Sequence, residues 1–281
     1  MISFPNCKVN LGLNVTRRRQ DGYHDIETVF YPLPLTDVLE IIQDSSSSAI
    51  NQQGKNNAAT FITTGLPING ARDKNLCVKA YLLIQQDFPK LPPVHLYLHK
   101  LIPIGAGLGG GSADGAFTLK LLNTKFQLNL TTEQLLDYAI QLGSDCPFFI
   151  LNRPCFATGR GEFLEAIELN LQTYSFVIVN PGTHINTSWA FQQLVPAQPR
   201  HSLRQTIQQP VSEWKDMLRN DFEEAVFKHH PELLPVKTTL YRSGAIYASL
   251  SGSGSCFYGI YPKNIFPDLG LSPTFQVFHI K

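Results

Sequence analysis

Five glycines in seven positions, Gly105, Gly107, Gly109, Gly110 and Gly111, fall between Pro103 and Ser112 and constrain this chain more than any other feature. Before them, Val94–His99 alternates, with Val94, Leu96 and Leu98 on one side, which predicts a strand. After them, Ser112–Asn123 sets Ala113, Phe117 and Leu121 at four-residue spacing, which predicts a helix. Glycine permits positive φ and close approach by a ligand. A helix's first turn offers free N–H groups and the positive end of its dipole. Together they make a cradle for phosphates. A flexible loop or a close helix crossing would also use glycine, but neither calls for so many between a strand and a helix.

Two familiar phosphate loops fail here. The P-loop pattern matches at Gly105, Gly110 and Ser112, but Gly111 stands where its lysine belongs. The dinucleotide fingerprint matches at Gly105, Gly107 and Gly110, yet His95, Tyr97 and His99 interrupt what should be an unbroken apolar strand. The following helix also leads to a second helix, Thr131–Leu142, instead of a parallel strand. A third kind of phosphate loop is expected.

The first half reads as strand-rich. Lys8–Val15 alternates Val9, Leu11, Leu13 and Val15 with polar or small residues, as a half-buried strand does. Asp25–Tyr31 and Val38–Ile42 read as further strands, 44–57 as a polar surface loop, and Lys74–Asp87 as a helix with Leu76, Ala80, Leu83 and Ile84 on one face. Thr131 and Gln134 form a candidate capping box, and Gly143 a stop. Later strands are expected at Cys155–Gly161, Phe176–Asn180, Tyr247–Ser251 and Cys256–Tyr261, with helices at Ser202–Gln208 and Glu213–His229.

A net charge of +1 gives no general pull toward nucleic acid or an anionic membrane, so phosphate chemistry needs a local site. Cys7, Cys77, Cys146, Cys155 and Cys256 lack metal or redox spacing and are expected to be reduced, inert thiols. With no apolar run of signal-peptide or membrane-spanning length, the expectation is a soluble, cytoplasmic protein.

Pro103-x-Gly-x-Gly-Leu-Gly-Gly-Gly-Ser112 resembles the ATP-binding motif of the GHMP kinases. Lys8-Val-Asn10-Leu with Asp21-Gly-Tyr-His24, then Leu142-Gly-Ser-Asp145-Cys-Pro-Phe-Phe149 and Ser251-Gly-Ser-Gly-Ser-Cys256, resemble further motifs of one branch, in that branch's order. The resemblance implies an α/β (α+β) two-domain GHMP kinase fold. Its N-terminal domain would be like domain 2 of ribosomal protein S5 (1–152), and its C-terminal domain ferredoxin-like (153–281). It implies ATP-dependent phosphorylation of the 2-hydroxyl of a cytidine diphosphate-linked methylerythritol, on the non-mevalonate route to isoprenoids. The expected partners are this small molecule, ATP and Mg2+, with metal ligands unknown. No nucleic acid or membrane is expected, and the chain would be a monomer or homodimer.

The resemblance also assigns roles. Asp145 would be the base that takes the alcohol's proton, and Lys8 would lie near it and stabilise charge on the attacking oxygen or the γ-phosphate. By residue pattern alone, Asp145 reads more readily as a helix cap and Lys8 as an exposed strand start. ATP would meet Pro103, Gly105, Gly107, Leu108, Gly109, Gly110, Gly111 and Ser112, with Asn75 near the adenine and Lys100 reaching nucleotide groups. Asn10, Tyr23, His24, Thr187 and Phe191 would contact the cytidylated substrate, with Phe191 on the base's second face. Gly252, Ser253 and Gly254 would add a second backbone cradle, unless they are a plain hairpin turn. Where the family often has Ser-Ser-Asn, this chain has Ser112-Ala113-Asp114; Asp114 reads as a helix cap or an aid to cation binding. The alternatives are another GHMP kinase, of homoserine or mevalonate type, a non-catalytic nucleotide-binding protein of the same fold, or a dinucleotide-dependent oxidoreductase.

Overall fold

The computed structural model describes residues 1–44 and 59–281. The loop expected over 44–57 lies, from 45 onward, outside the described residues. In chain order the first elements are β1 (Ile2–Ser3), β2 (Asn6–Arg18), β3 (His24–Thr36), β4 (Val38–Gln43), β5 (Ala59–Gly65), α1 (Leu76–Asp87) and β6 (Val94–Lys100). Then come α2 (Gly110–Lys125), α3 (Thr132–Leu142), α4 (Cys146–Leu151), β7 (Cys155–Thr158), β8 (Phe163–Ala166), β9 (Tyr174–Asn180) and α5 (Thr187–Gln192). The last are α6 (Leu203–Thr206), α7 (Trp214–Met217), α8 (Phe222–His229), α9 (Leu234–Arg242), β10 (Tyr247–Leu250), β11 (Phe257–Pro262) and β12 (Gln276–Ile280).

These elements pack into two compact units drawn from interleaved stretches of chain. One unit takes Met1–Cys7, Leu35–Ile104 and Gly110–Asn152; the other takes Lys8–Pro34, Gly105–Gly109 and Arg153–Lys281.

The first unit has a four-stranded sheet ordered β1-β4-β6-β5, with β4 antiparallel and β5 parallel to β6. The buried residues of α1 are Cys77, Val78, Ala80, Tyr81 and Ile84: Ala80 and Ile84 are as expected, while Leu76 and Leu83 are only partly buried. Asn75 caps the helix through Cys77 N, after a separate 3-10 turn at Arg72–Lys74. α2 begins at Gly110, two residues earlier than expected, and is buried on nearly every side. The capping box at Thr131 and Gln134 and the stop at Gly143 both form on α3.

The second unit has two sheets, ordered β2-β3-β7-β8 and β10-β11-β9-β12. One hydrophobic core of this unit joins Val177, Val179, Phe222, Val226, Leu240, Leu250 and Phe257 with Leu13 and Val15. β2 is not half-buried, as its alternation predicts: every residue from Asn6 to Val15 is buried, the polar face included. The single helix expected over Glu213–His229 is broken into a 3-10 turn, α7 and α8. The break has a physical cause. Leu13 N donates to Arg219 O (2.8 Å), Asp221 N donates to Leu13 O (2.9 Å), and Val15 N donates to Asp221 Oδ2 (2.7 Å), so this stretch pairs with β2 instead of with itself.

The capping box yields a stability prediction. Thr131→Ala leaves the Gln134 N–H in the first turn of α3 without its side-chain acceptor and should cost about 1 kcal/mol in urea unfolding. Both side chains of the box are exposed, so no core loss adds to it.

Candidate active site

In the second unit the glycine segment does not stand alone. Gly105, Gly107 and Gly109 all have positive φ (65°, 83° and 71°), so the amides turn in a way that L side chains resist. A β-carbon on Gly107 would lie 1.9 Å from the carbonyl oxygen of Ser251. Ser251 Oγ donates to Gly107 O (2.8 Å), and Cys256 N donates to Ala106 O (3.1 Å). The two glycine-rich loops, 105–109 and 251–255, are thus sewn back to back. The second loop is also the turn between β10 and β11, as its plain reading had it.

The start of β2 is tied to the same place. Lys8 N donates to Leu108 O (2.9 Å). The Lys8 side chain is only 3% exposed, which removes the reading of a solvated lysine. Its Nζ donates to Asn10 Oδ1 (2.6 Å) and sits over the Phe30 ring, 4.9 Å from the centroid. Asn10 Nδ2 donates to Thr28 Oγ1 (2.9 Å), which donates to Gly12 O (2.6 Å), and Tyr258 Oη donates to Asn10 O (2.8 Å). A buried lysine held by such a relay has its ammonium fixed in place.

The residues expected around a substrate base gather in this unit. Thr187 Oγ1 and Ser253 Oγ share a hydrogen bond (3.0 Å). A β-carbon on Gly252 would lie 3.5 Å from Asn10 Oδ1. Tyr23 is 56% exposed, with the Arg160 guanidinium 4.9 Å from its ring centroid. Burial, and then Arg18, lower His24 below its ordinary value, so its imidazole is neutral at neutral pH. His24 and Phe191 stack on each other at 5.0 Å, too close for a third ring to lie between them. In this structure Phe191 covers His24, and the exposed aromatic face is that of Tyr23.

The first unit contributes a cavity of about 390 Å³. Its lining includes Thr63, Arg72, Lys74, Asn75, Gly111 and Asp114. Asn75 Oδ1 accepts from Cys77 N (2.9 Å), so this oxygen is taken by the helix. Lys100 is 2% exposed and bonds Asp37 and Asp114, an arrangement far from a lysine poised in a groove. Burial opposes the Lys100 charge, but the two carboxylates hold its pKa above the ordinary value. Asp114 is not a cap: it lies inside α2, where burial raises its carboxyl despite Lys100. Asp145 holds the N-cap position of α4, as its plain reading had it, but its side chain makes no cap bond there.

Asp37, Asn220 and Thr28 were not anticipated. Asn220 Nδ2 donates to Leu250 O and Gly252 O (both 2.8 Å), fixing the second glycine loop. The polar run Arg219-Asn220-Asp221, set inside an apolar-periodic stretch, was the available signal. All five cysteines are buried, and burial pushes Cys146 up to about 12 and Cys155 to about 11, so these two stay as thiols. Among the described residues no helix is long and apolar enough to cross a membrane.

Residues 75–153 match the family pattern described as GHMP kinases N terminal domain, and residues 202–265 the one described as GHMP kinases C terminal. The chain is 52% identical, over 93% of its length and 92% of the relative's, to 4-diphosphocytidyl-2-C-methyl-D-erythritol kinase of Bacteroides fragilis. It is 48% identical to the same-named protein of Bacteroides thetaiotaomicron, over 95% of both. A crystal structure of 4-(cytidine 5'-diphospho)-2C-methyl-D-erythritol kinase superposes with a TM-score of 0.78 at 31% identity, covering 92% of this chain and 90% of the other. A mevalonate kinase structure superposes with a TM-score of 0.72 at 14% identity, over 99% of this chain and 98% of the other, a likeness of fold.

Two glycines of one motif should respond differently. Gly107→Ala meets both a positive φ and the Ser251 carbonyl and should cost at least about 3 kcal/mol. Gly111→Ala meets nothing within 4 Å. It should stay within about 1 kcal/mol of the parent in stability, since Ala outranks Gly in a helix by about that amount. Denaturant unfolding of both variants checks this.

Proposed function

This chain belongs to the GHMP kinases, in the branch of the 4-diphosphocytidyl-2-C-methyl-D-erythritol kinases, and from that premise we infer that it uses ATP to phosphorylate the 2-hydroxyl of 4-diphosphocytidyl-2-C-methyl-D-erythritol in isoprenoid precursor biosynthesis. The observation that carries the reading to particular residues is the buried Lys8, tied through its backbone to the glycine loop at Leu108 and through its ammonium to Asn10.

Phosphoryl transfer asks a protein for positioning and charge stabilisation more than for covalent chemistry. Backbone amides of Gly105–Ser112 would hold the ATP phosphates, because glycines at positive φ turn N–H groups toward an anion. The cavity beside Asn75 and Gly111 would take the nucleoside. An alcohol is a weak nucleophile, so Asp145 would accept its proton as its oxygen bonds the γ-phosphorus and the bond from that phosphorus to the leaving ADP oxygen breaks. Lys8 would stabilise the negative charge on the attacking oxygen or the γ-phosphate. Mg2+ would arrive with ATP and neutralise phosphate charge; this ion usually binds through substrate phosphates with one or two carboxylates, not in a dedicated protein cage.

On the acceptor side, Asn10, Thr187, Gly252, Ser253 and Gly254 would meet the polar part of the substrate, and Tyr23 would stack on the cytosine. The neutral His24 imidazole offers one donor and one acceptor to the base edge. Phe191 supports His24 from behind. The reaction needs no membrane, and the proposed setting is the cytoplasm, as a monomer or homodimer.

Two measurements test this. The purified chain with ATP should phosphorylate the cytidylated alcohol and leave homoserine and mevalonate unchanged; turnover of homoserine alone would overturn the assignment. Asp145→Asn should keep ATP affinity within a few-fold and lose turnover by at least about 10²-fold, in the range of general-base catalysis. Near-parental turnover in that variant would take Asp145 out of the base role.

A further inference from the structure

One buried carboxylate in the first unit serves three consecutive residues just ahead of the glycine segment. Asp37 is fully buried. Its Oδ1 accepts from Leu101 N (2.6 Å) and Ile102 N (2.8 Å), and its Oδ2 accepts from Lys100 Nζ. Asp37 is itself anchored, since its N–H donates to Pro5 O (2.8 Å). Lys100 reaches on to Asp114 Oδ2 (2.8 Å), which lies in α2, the helix that the glycine segment enters.

The contact at Gly110 closes this arrangement. A β-carbon there would lie 2.8 Å from Ile102 Cγ2 and 2.9 Å from Lys100 Nζ. The first residue of α2 therefore rests on two of the three residues that Asp37 holds. The chain entering the glycine segment and the helix leaving it are joined through Lys100, which Asp37 anchors on one side and Asp114 meets on the other. Buried charge in such a group is costly unless paired, so the arrangement resists loosening one bond at a time.

The geometry points to Asp37 as a positioning residue for ATP binding: it fixes the two stems of the phosphate loop without touching the nucleotide. This rests on the reading of Gly105–Ser112 as the phosphate loop. Full burial is what makes Asp37 informative, because a change in ATP affinity on its substitution has to act through Lys100, Leu101 and Ile102.

Asp37→Asn keeps the size and an oxygen for the two backbone amides but sets an amide N–H against the Lys100 ammonium. Calorimetry on the folded variant should show ATP Kd raised about tenfold or more, while Kd for the cytidylated alcohol stays within about twofold; a charge-assisted hydrogen bond is of that order. Hydrogen exchange should quicken over 101–111 and stay unchanged in α3. A general loss of fold would not separate the two ligands in this way. Parental ATP affinity in the folded variant would overturn the inference. So would rapid exchange of the Leu101 and Ile102 amides in the unsubstituted chain, which is decisive even if the variant fails to fold. Failure of the unsubstituted chain to bind ATP would instead remove the underlying loop reading, and the inference with it.

Discussion

The contact between Gly107 and the carbonyl of Ser251 is the constraint on which the second unit's chemistry depends. A peptide carbonyl occupies the space where any other residue would carry a β-carbon. Two loops more than a hundred residues apart in sequence can therefore meet backbone to backbone, with the Ser251 hydroxyl bridging them. The start of β2 joins the same surface through Leu108, which places the Lys8 ammonium by main-chain geometry before any side-chain interaction counts. Asn220 secures the far loop from behind, and the Asn10–Thr28 relay secures the lysine.

The first unit uses a different device. Where the second unit relies on close backbone contact, the first relies on charge. Lys100 stands between Asp37 and Asp114, and its environment keeps it protonated. Such an ionic group adds little net stability over an apolar core, but it admits few alternative geometries. That is a suitable property for a segment whose amides must point in one direction.

The sequence made much of this legible, for reasons that differ by residue. Local signals held wherever a short stretch decided its own structure: the capping box at Thr131 and Gln134, the stop at Gly143, and the strand–glycine–helix order around 105–111. They failed wherever a distant partner decided. β2 looked half-buried because its polar residues alternate, yet Lys8 and Asn10 are covered by residues remote in sequence. The helix expected over Glu213–His229 breaks because Arg219, Asn220 and Asp221 satisfy β2 and the second glycine loop. Asp114 looked like a cap because nothing local announces its partner Lys100, and Asp37 gave no signal at all. The aromatic residues expected about the base were brought into one unit, but the stacking of Phe191 on His24 is a matter of side-chain packing that no motif encodes.

The interleaving of the two units bears on how the molecule is made. The Tyr258 hydroxyl that donates to the Asn10 carbonyl is synthesised 248 residues after it. Contacts of such sequence separation are slow to close, because chain entropy is spent before they form. The lysine strand must wait, polar face and all, until residues 248 positions further along arrive. A truncated or stalled product would therefore expose a strand rich in Val and Leu with no lasting partner on that side, which is a natural handle for chaperones.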